Sequence, residues 1–110
     1  MRRGTTPTIT LTVDKDISDG WTLYATFRSG MRNVTLENDR MTVELEPATE
    51  TEGDKTLITV TLTQEETLSL GVGNAEVQVR AIKDGTAIAT DIKNIDVGRI
   101  IKDGVIDELL

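Results

Sequence analysis

Carboxylates are the most plentiful reactive groups in this chain, and Asp14-x-Asp16-x-x-Asp19-Gly20 is the one stretch that spaces them like ligands. Clustered oxygen donors suit a hard cation such as calcium. An EF-hand loop, however, needs glycine at its sixth position and a bidentate glutamate at its twelfth, where this chain has Asp19 and Ala25. The stretch therefore reads as an Asx-rich turn, in which short polar side chains cap neighbouring amides. A second group, Glu44, Glu46, Glu50, Glu52 and Asp54, holds enough carboxyls for the acid and base pair of a glycoside hydrolase. It has no neighbouring aromatic platform to hold a sugar, and reads as a solvated charged face and loop.

The chain has no cysteine and no histidine. Thiol nucleophiles, disulfides, Cys/His zinc sites and histidine acid–base pairs are thereby excluded. Only carboxylate, lysine, hydroxyl or tyrosine chemistry is left, so binding or assembly is expected rather than catalysis, and no catalytic, cofactor-binding or metal residue is assigned. Asp plus Glu number 19 against 12 Lys plus Arg, a net charge of −7. That balance argues against a nucleic-acid surface, which needs clustered cations to neutralise phosphates. No apolar run approaches the roughly 20 residues that cross a bilayer, and Met1-Arg2-Arg3 leads into Gly4-Thr5-Thr6-Pro7 rather than an apolar signal core. A cytoplasmic start is expected, with no membrane partner.

Any site must be positioned by strands, because alternation of period two dominates the chain. Ile9, Leu11 and Val13 share one face of residues 8–13 and three threonines share the other. Residues 21–28 place Trp21, Leu23, Ala25 and Phe27 together, which assigns Trp21 and Phe27 to the core and leaves Tyr24 as a surface candidate. Residues 32–36 and 41–45 flank the polar Glu37-Asn38-Asp39-Arg40 and predict a hairpin. Residues 47–55 read as a mobile acidic loop, and Ile58, Val60 and Leu62 mark the next strand.

Thr63-Gln64-Glu65-Glu66 matches a capping box and predicts one helical turn near residues 64–69, with Leu68 and Leu70 tucked against an open end of the core. Residues 75–81 alternate strictly up to Asp84-Gly85, the sequence of a type I′ hairpin turn. Residues 86–97 return beside them, with Ile92, Ile95 and Val97 as core candidates across a bulge near Asn94. About seven to eight short strands and one helical turn in 110 residues predict a single all-β domain, an immunoglobulin-like antiparallel β-sandwich. An OB-type barrel is the structural competitor, but its nucleic-acid face is usually basic and aromatic, and only three aromatic residues occur here.

The opening Arg2-Arg3-Gly4-Thr5-Thr6-Pro7-Thr8 resembles that of short phage and prophage proteins of Gram-positive bacteria. The resemblance continues in Leu62 to Thr67, in Val77-Gln78-Val79-Arg80 before Asp84-Gly85, and in Val97-Gly98-Arg99-Ile100 leading to Asp103-Gly104-Val105. The stretch from Asp14 to Glu52 carries no such signature. The resemblance implies a virion-associated, tail or baseplate-related protein, similar in outline to the immunoglobulin-like N-terminal module of phage baseplate upper proteins, and it supplies no catalytic residues.

Both termini are candidate contact elements. Residues 1–6 precede the first strand without apolar spacing and are expected to form a flexible basic arm. Residues 99–110 form an apolar-rich tail containing Ile100, Ile101, Val105, Ile106, Leu109 and Leu110. It is expected either to cover an open end of its own sandwich or to pack on a partner. Arg2, Arg3, Ile101, Val105, Ile106 and Leu109 are the expected interface, with other phage structural proteins or a second copy as partner. A carbohydrate or cell-surface-binding module is the alternative, which should show exposed aromatics on its loops.

Overall fold

In a computed structural model, which describes residues 1–108, the chain forms two antiparallel sheets around one core. The strands are β1 (Thr8–Val13), β2 (Thr22–Ser29), β3 (Arg32–Glu37), β4 (Met41–Glu46), β5 (Lys55–Thr61), β6 (Gly73–Lys83), β7 (Thr86–Ala89) and β8 (Lys93–Val97), with one helix, α1 (Gln64–Ser69), and a 3₁₀ turn at Asn38–Arg40. One sheet has the order β1-β5-β4; the other runs β3-β2-β6, with β7 and β8 successively on the outer side of β6. With β1, β5 and β4 as strands B, E and D, and β3, β2, β6 and β7–β8 as C′, C, F and G, the order is that of an immunoglobulin sandwich. Strand A, which lies beside B in that fold, has no counterpart among the described residues.

The alternating residues meet as their spacing requires. Leu11 and Val13 of β1, Leu23, Ala25 and Phe27 of β2, Ile58 and Val60 of β5, and Ala75, Val77, Val79 and Ala81 of β6 are buried together. On the outer face of the three-stranded sheet, Thr8 and Thr61 hydroxyls lie 2.9 Å apart and those of Thr10 and Thr59 3.3 Å apart. Such cross-strand threonine pairs stabilise a half-exposed sheet.

The hairpin expected over residues 32–45 does not form. β3 pairs with β2 through the two-residue turn Gly30-Met31, with Gly30 at φ +62°, and β4 pairs with β5 in the other sheet. The polar connection is consumed in crossing between sheets. The Asn38 side chain accepts from Leu23 N at 2.8 Å and donates to Trp21 O at 3.2 Å, while Arg40 reaches Thr61 O at 3.0 Å. Periodicity identifies both strands but carries no information on which neighbour each one takes.

The Asp84-Gly85 turn is as expected, with φ of 49° and 79° at its two central residues. The bulge lies at Thr90–Ile92, upstream of Asn94. Arg80 pairs with Ala89 and Val77 with Lys93, so three residues face two, and the side-chain parity reverses between β7 and β8. Thr90 holds the break: its amide donates to Val79 O at 2.9 Å and its hydroxyl accepts from Val79 N at 3.1 Å. The reversal turns Val97 into the core and leaves Ile95 half-buried, while Ile92 is exposed. Trp21 is half-buried against the core, with the Lys15 ammonium 5.1 Å from its ring centroid, rather than fully inside.

Candidate functional site

The stretch from Asp14 to Gly20 forms the Asx turn that its residues predict. Asp16 Oδ1 accepts from Ser18 N at 3.1 Å and from Ser18 Oγ at 2.6 Å, the geometry of an Asx turn. Those two bonds hold the Asp16 carboxyl below the usual carboxylate range. In the acidic loop, Glu52 pairs with Lys55 at 2.7 Å and Asp54 Oδ1 accepts from Ala48 N at 2.7 Å. Among the described residues, no three carboxylates converge as a metal site would require. Tyr24 lies on the outer face of the five-stranded sheet between Glu37 and Arg80, without a second aromatic beside it on β2.

The chemistry of this molecule is concentrated instead at the end that carries α1 and both terminal segments. The capping box forms as expected: Glu66 N donates to Thr63 Oγ1 at 3.2 Å and Thr63 N to Glu66 Oε1 at 2.8 Å. Glu66 also accepts both Arg40 η-nitrogens, at 2.7 and 3.0 Å. Burial pushes its carboxyl up, but the Arg40 guanidinium and the Thr63 amide outweigh burial and hold it below the ordinary glutamate value. Periodicity gave no hint of Thr67, which is fully buried and donates to Thr5 O at 2.9 Å, tying α1 to the N-terminal segment.

Residues 1–6 are not a flexible arm. Arg2 forms a parallel bridge with Gly98, with Arg3 N donating to Gly98 O at 3.0 Å and Gly98 N to Met1 O at 2.6 Å. The outer edge of β8 offers unpaired backbone groups, and the N-terminal segment takes them up. Arg3 then serves the helix. Its Nε donates to Leu70 O at 2.9 Å and its Nη2 to Leu68 O at 2.8 Å, supplying donors where the last carbonyls of α1 lack them. Arg2 stays exposed and donates to Arg99 O at 3.0 Å. Of the expected interface residues, Arg3 is thus a capping group for α1.

The tail follows the same end. The Ile100 Cδ1 stands 3.0 Å from where a side chain on Gly4 would begin, with Leu68 Cδ2 at 3.4 Å, and the φ of +71° at Gly4 favours glycine there. Gln64 holds the tail like a strand partner, accepting from Ile106 N at 2.8 Å and donating to Ile106 O at 3.0 Å, and Arg3 reaches Asp103 at 3.7 Å. Every residue from Ile101 to Glu108 is nevertheless exposed, Ile101 completely and Val105 and Ile106 about half. Leu109 lies outside the described residues.

Sequence reasoning missed two further members of this surface. Met31 is 96% exposed at the β2–β3 turn and Val72 is 59% exposed after α1. Their turns touch through Ser29 Oγ and Gly71 O, 3.2 Å apart. Apolar residues inside turns break no period, so only their exposure reveals them. Met31, Val72, Ile101, Val105 and Ile106 make five of the eight large exposed hydrophobic residues found among the described residues. No described helix is long and apolar enough to cross a membrane. No protein-family model matches the chain, and no curated protein matches it as a relative.

Proposed function

We propose that this chain is a phage structural or assembly component, of the tail or baseplate region, which acts by protein–protein contact through the end of the sandwich that carries α1 and both terminal segments. The observation that carries this reading is the gathering of Met31, Val72, Ile101, Val105 and Ile106 at that end. Scattered apolar side chains are ordinary on a protein surface, but their concentration around one end marks a contact surface. The absence of histidine and cysteine and the use of the acidic turn by its own backbone favour binding over catalysis. The phage setting rests on the resemblance of Arg2–Thr8, Leu62–Thr67 and Val97–Val105 to short prophage proteins.

Mass spectrometry of phage particles, induced from the source bacterium and banded on a density gradient, tests the setting. Peptides of this chain at constant stoichiometry across the particle band are expected. Their absence from both particles and assembly intermediates would overturn the phage reading.

A further inference from the structure

The two sheets differ in width. Three strands, β4, β5 and β1, pack against a sheet four strands wide, in which β7 and β8 share the fourth place. Beside β1, facing β7 and β8, lies an open groove of about 370 Å³ lined by the buried Leu11, Val13, Val77 and Val79, by the half-buried Ile88, and by the charged Asp14, Lys15, Asp91 and Lys93. The groove occupies the place where the missing strand A would run.

The edge of β1 is ready for a partner. Leu62 N donates to Pro7 O at 3.0 Å, which sets the register so that Ile9, Leu11 and Val13 bond to β5. The N–H and C=O groups of Thr8, Thr10 and Thr12 therefore point away from β5, and no described strand takes them. The other edges carry protection of the usual kind. Glu44 and Glu46 stand on β4, Arg32 and Glu37 on β3, Arg2 pairs with the end of β8, and the uncharged β7 is only 4 residues long. β1 has no charge, no proline and no bulge.

A folded edge strand cannot fill this place, because its own second sheet would collide with β7 and β8. The occupant must be a lone extended segment. Among the described stretches outside both sheets, only residues 101–108 expose several large apolar side chains. Eight extended residues span about 26 Å and the six of β1 about 20 Å, so the lengths match. Few bonds would be lost on release, since the tail is held by the Gln64 pair and by the distant Arg3–Asp103 contact. Ile100 packs against Leu68 and Gly4, on the α1 side of the N-terminal segment that runs from β8 to β1. A neighbouring copy's groove is therefore open to the tail without that obstruction.

We infer that the C-terminal segment of one copy adds as a strand to β1 in the groove of a second copy, so that the chain assembles head to tail. This inference rests on the proposed role of the tail. Each copy has one donor and one vacancy, which generates a ring where the rotation closes and a filament where it does not.

Sedimentation of the full chain and four variants tests it. Thr12→Pro removes an outward amide from β1 and leaves the bonds to β5 in place; Ile88→Asp alters the opposite wall if the proline variant fails to fold. The donor variant is Val105→Asp with Ile106→Asp. Each variant alone is expected to associate at least about tenfold more weakly than the parent, and Thr12→Val, which keeps the amide, to associate normally. An equimolar mixture of acceptor and donor variants should form dimers and nothing larger, because one working groove and one working tail remain. If the donor variant dissociates while both groove variants assemble normally, or if the mixture stays monomeric, the groove assignment is overturned and the contact role of the tail survives. If the parent is a monomer at every concentration, self-association fails for both.

Discussion

Replacing Thr56 by valine tests how the acidic turn is anchored. Thr56 and Ile17 are almost wholly buried, and the Thr56 hydroxyl accepts from Ile17 N at 2.9 Å and donates to Lys15 O at 2.7 Å. One hydroxyl thus ties the β1–β2 connection to β5. Valine has the same shape but leaves the Ile17 amide buried without an acceptor, at a cost of about 1–3 kcal/mol. It also removes the donor to Lys15 O, worth about 1 kcal/mol, and gains roughly 0.8 kcal/mol from a buried methyl. The net loss is about 2 kcal/mol. With about 2.1 cal/mol/K of unfolding entropy per residue over 110 residues, Tm should fall by about 9 °C. Thr56→Ser keeps the hydroxyl and loses one methyl, for about 1 kcal/mol. Urea unfolding followed by Trp21 fluorescence and far-ultraviolet circular dichroism should rank the parent above serine, and serine above valine. A valine variant at least as stable as the parent would refute the hydroxyl clamp, since apolar burial alone favours valine.

Three further perturbations follow from the same geometry. The Glu66 pKa is depressed in the folded state, so its contribution is present above the unfolded value of about 4.5 and disappears as pH falls through the folded value. Glu66→Gln should cost about 1 kcal/mol at neutral pH, and its difference from the parent should shrink as pH falls through the depressed folded value in denaturation across pH. Asn38→Ala removes the bridge to the backbone of Trp21 and Leu23 and should lower stability by about 1–2 kcal/mol in urea titration. At Asp84, φ is 49°, so a β-branched valine should destabilise by about 1–2 kcal/mol in a thermal melt, while glycine should be neutral or better.

Strand existence and core facing were legible because burial on one face imposes a period of two. Ile9, Leu11 and Val13, or Ile58 and Val60, could hardly be misread. Pairing was less legible. Nothing in residues 32–45 states that Asn38 and Arg40 bond across the sandwich instead of closing a hairpin, because those bonds are made to residues distant in sequence. The one-residue shift at Thr90–Ile92 was anticipated in kind but misplaced, since a bulge changes side-chain parity without changing composition. The end that carries α1 and both terminal segments was half legible. The apolar tail stood out after the last strand, but the docking of Arg2 and Arg3 depended on where β8 and the end of α1 leave backbone groups open.

The central claim is that the end carrying both terminal segments makes contacts, and the tail is its most exposed part. Light scattering after size exclusion, on the full chain and on a version truncated after Arg99 at several concentrations, tests this most directly. The account predicts a concentration-dependent oligomer for the full chain. It predicts a folded monomer for the truncated one, with stability lowered by no more than about 1–2 kcal/mol, because residues 101–108 are exposed and Ile100 is the one removed residue with a half-buried side chain among those described. Two monomers of equal stability would contradict assembly through the tail, and a truncated chain that fails to fold would show that the tail serves its own sandwich.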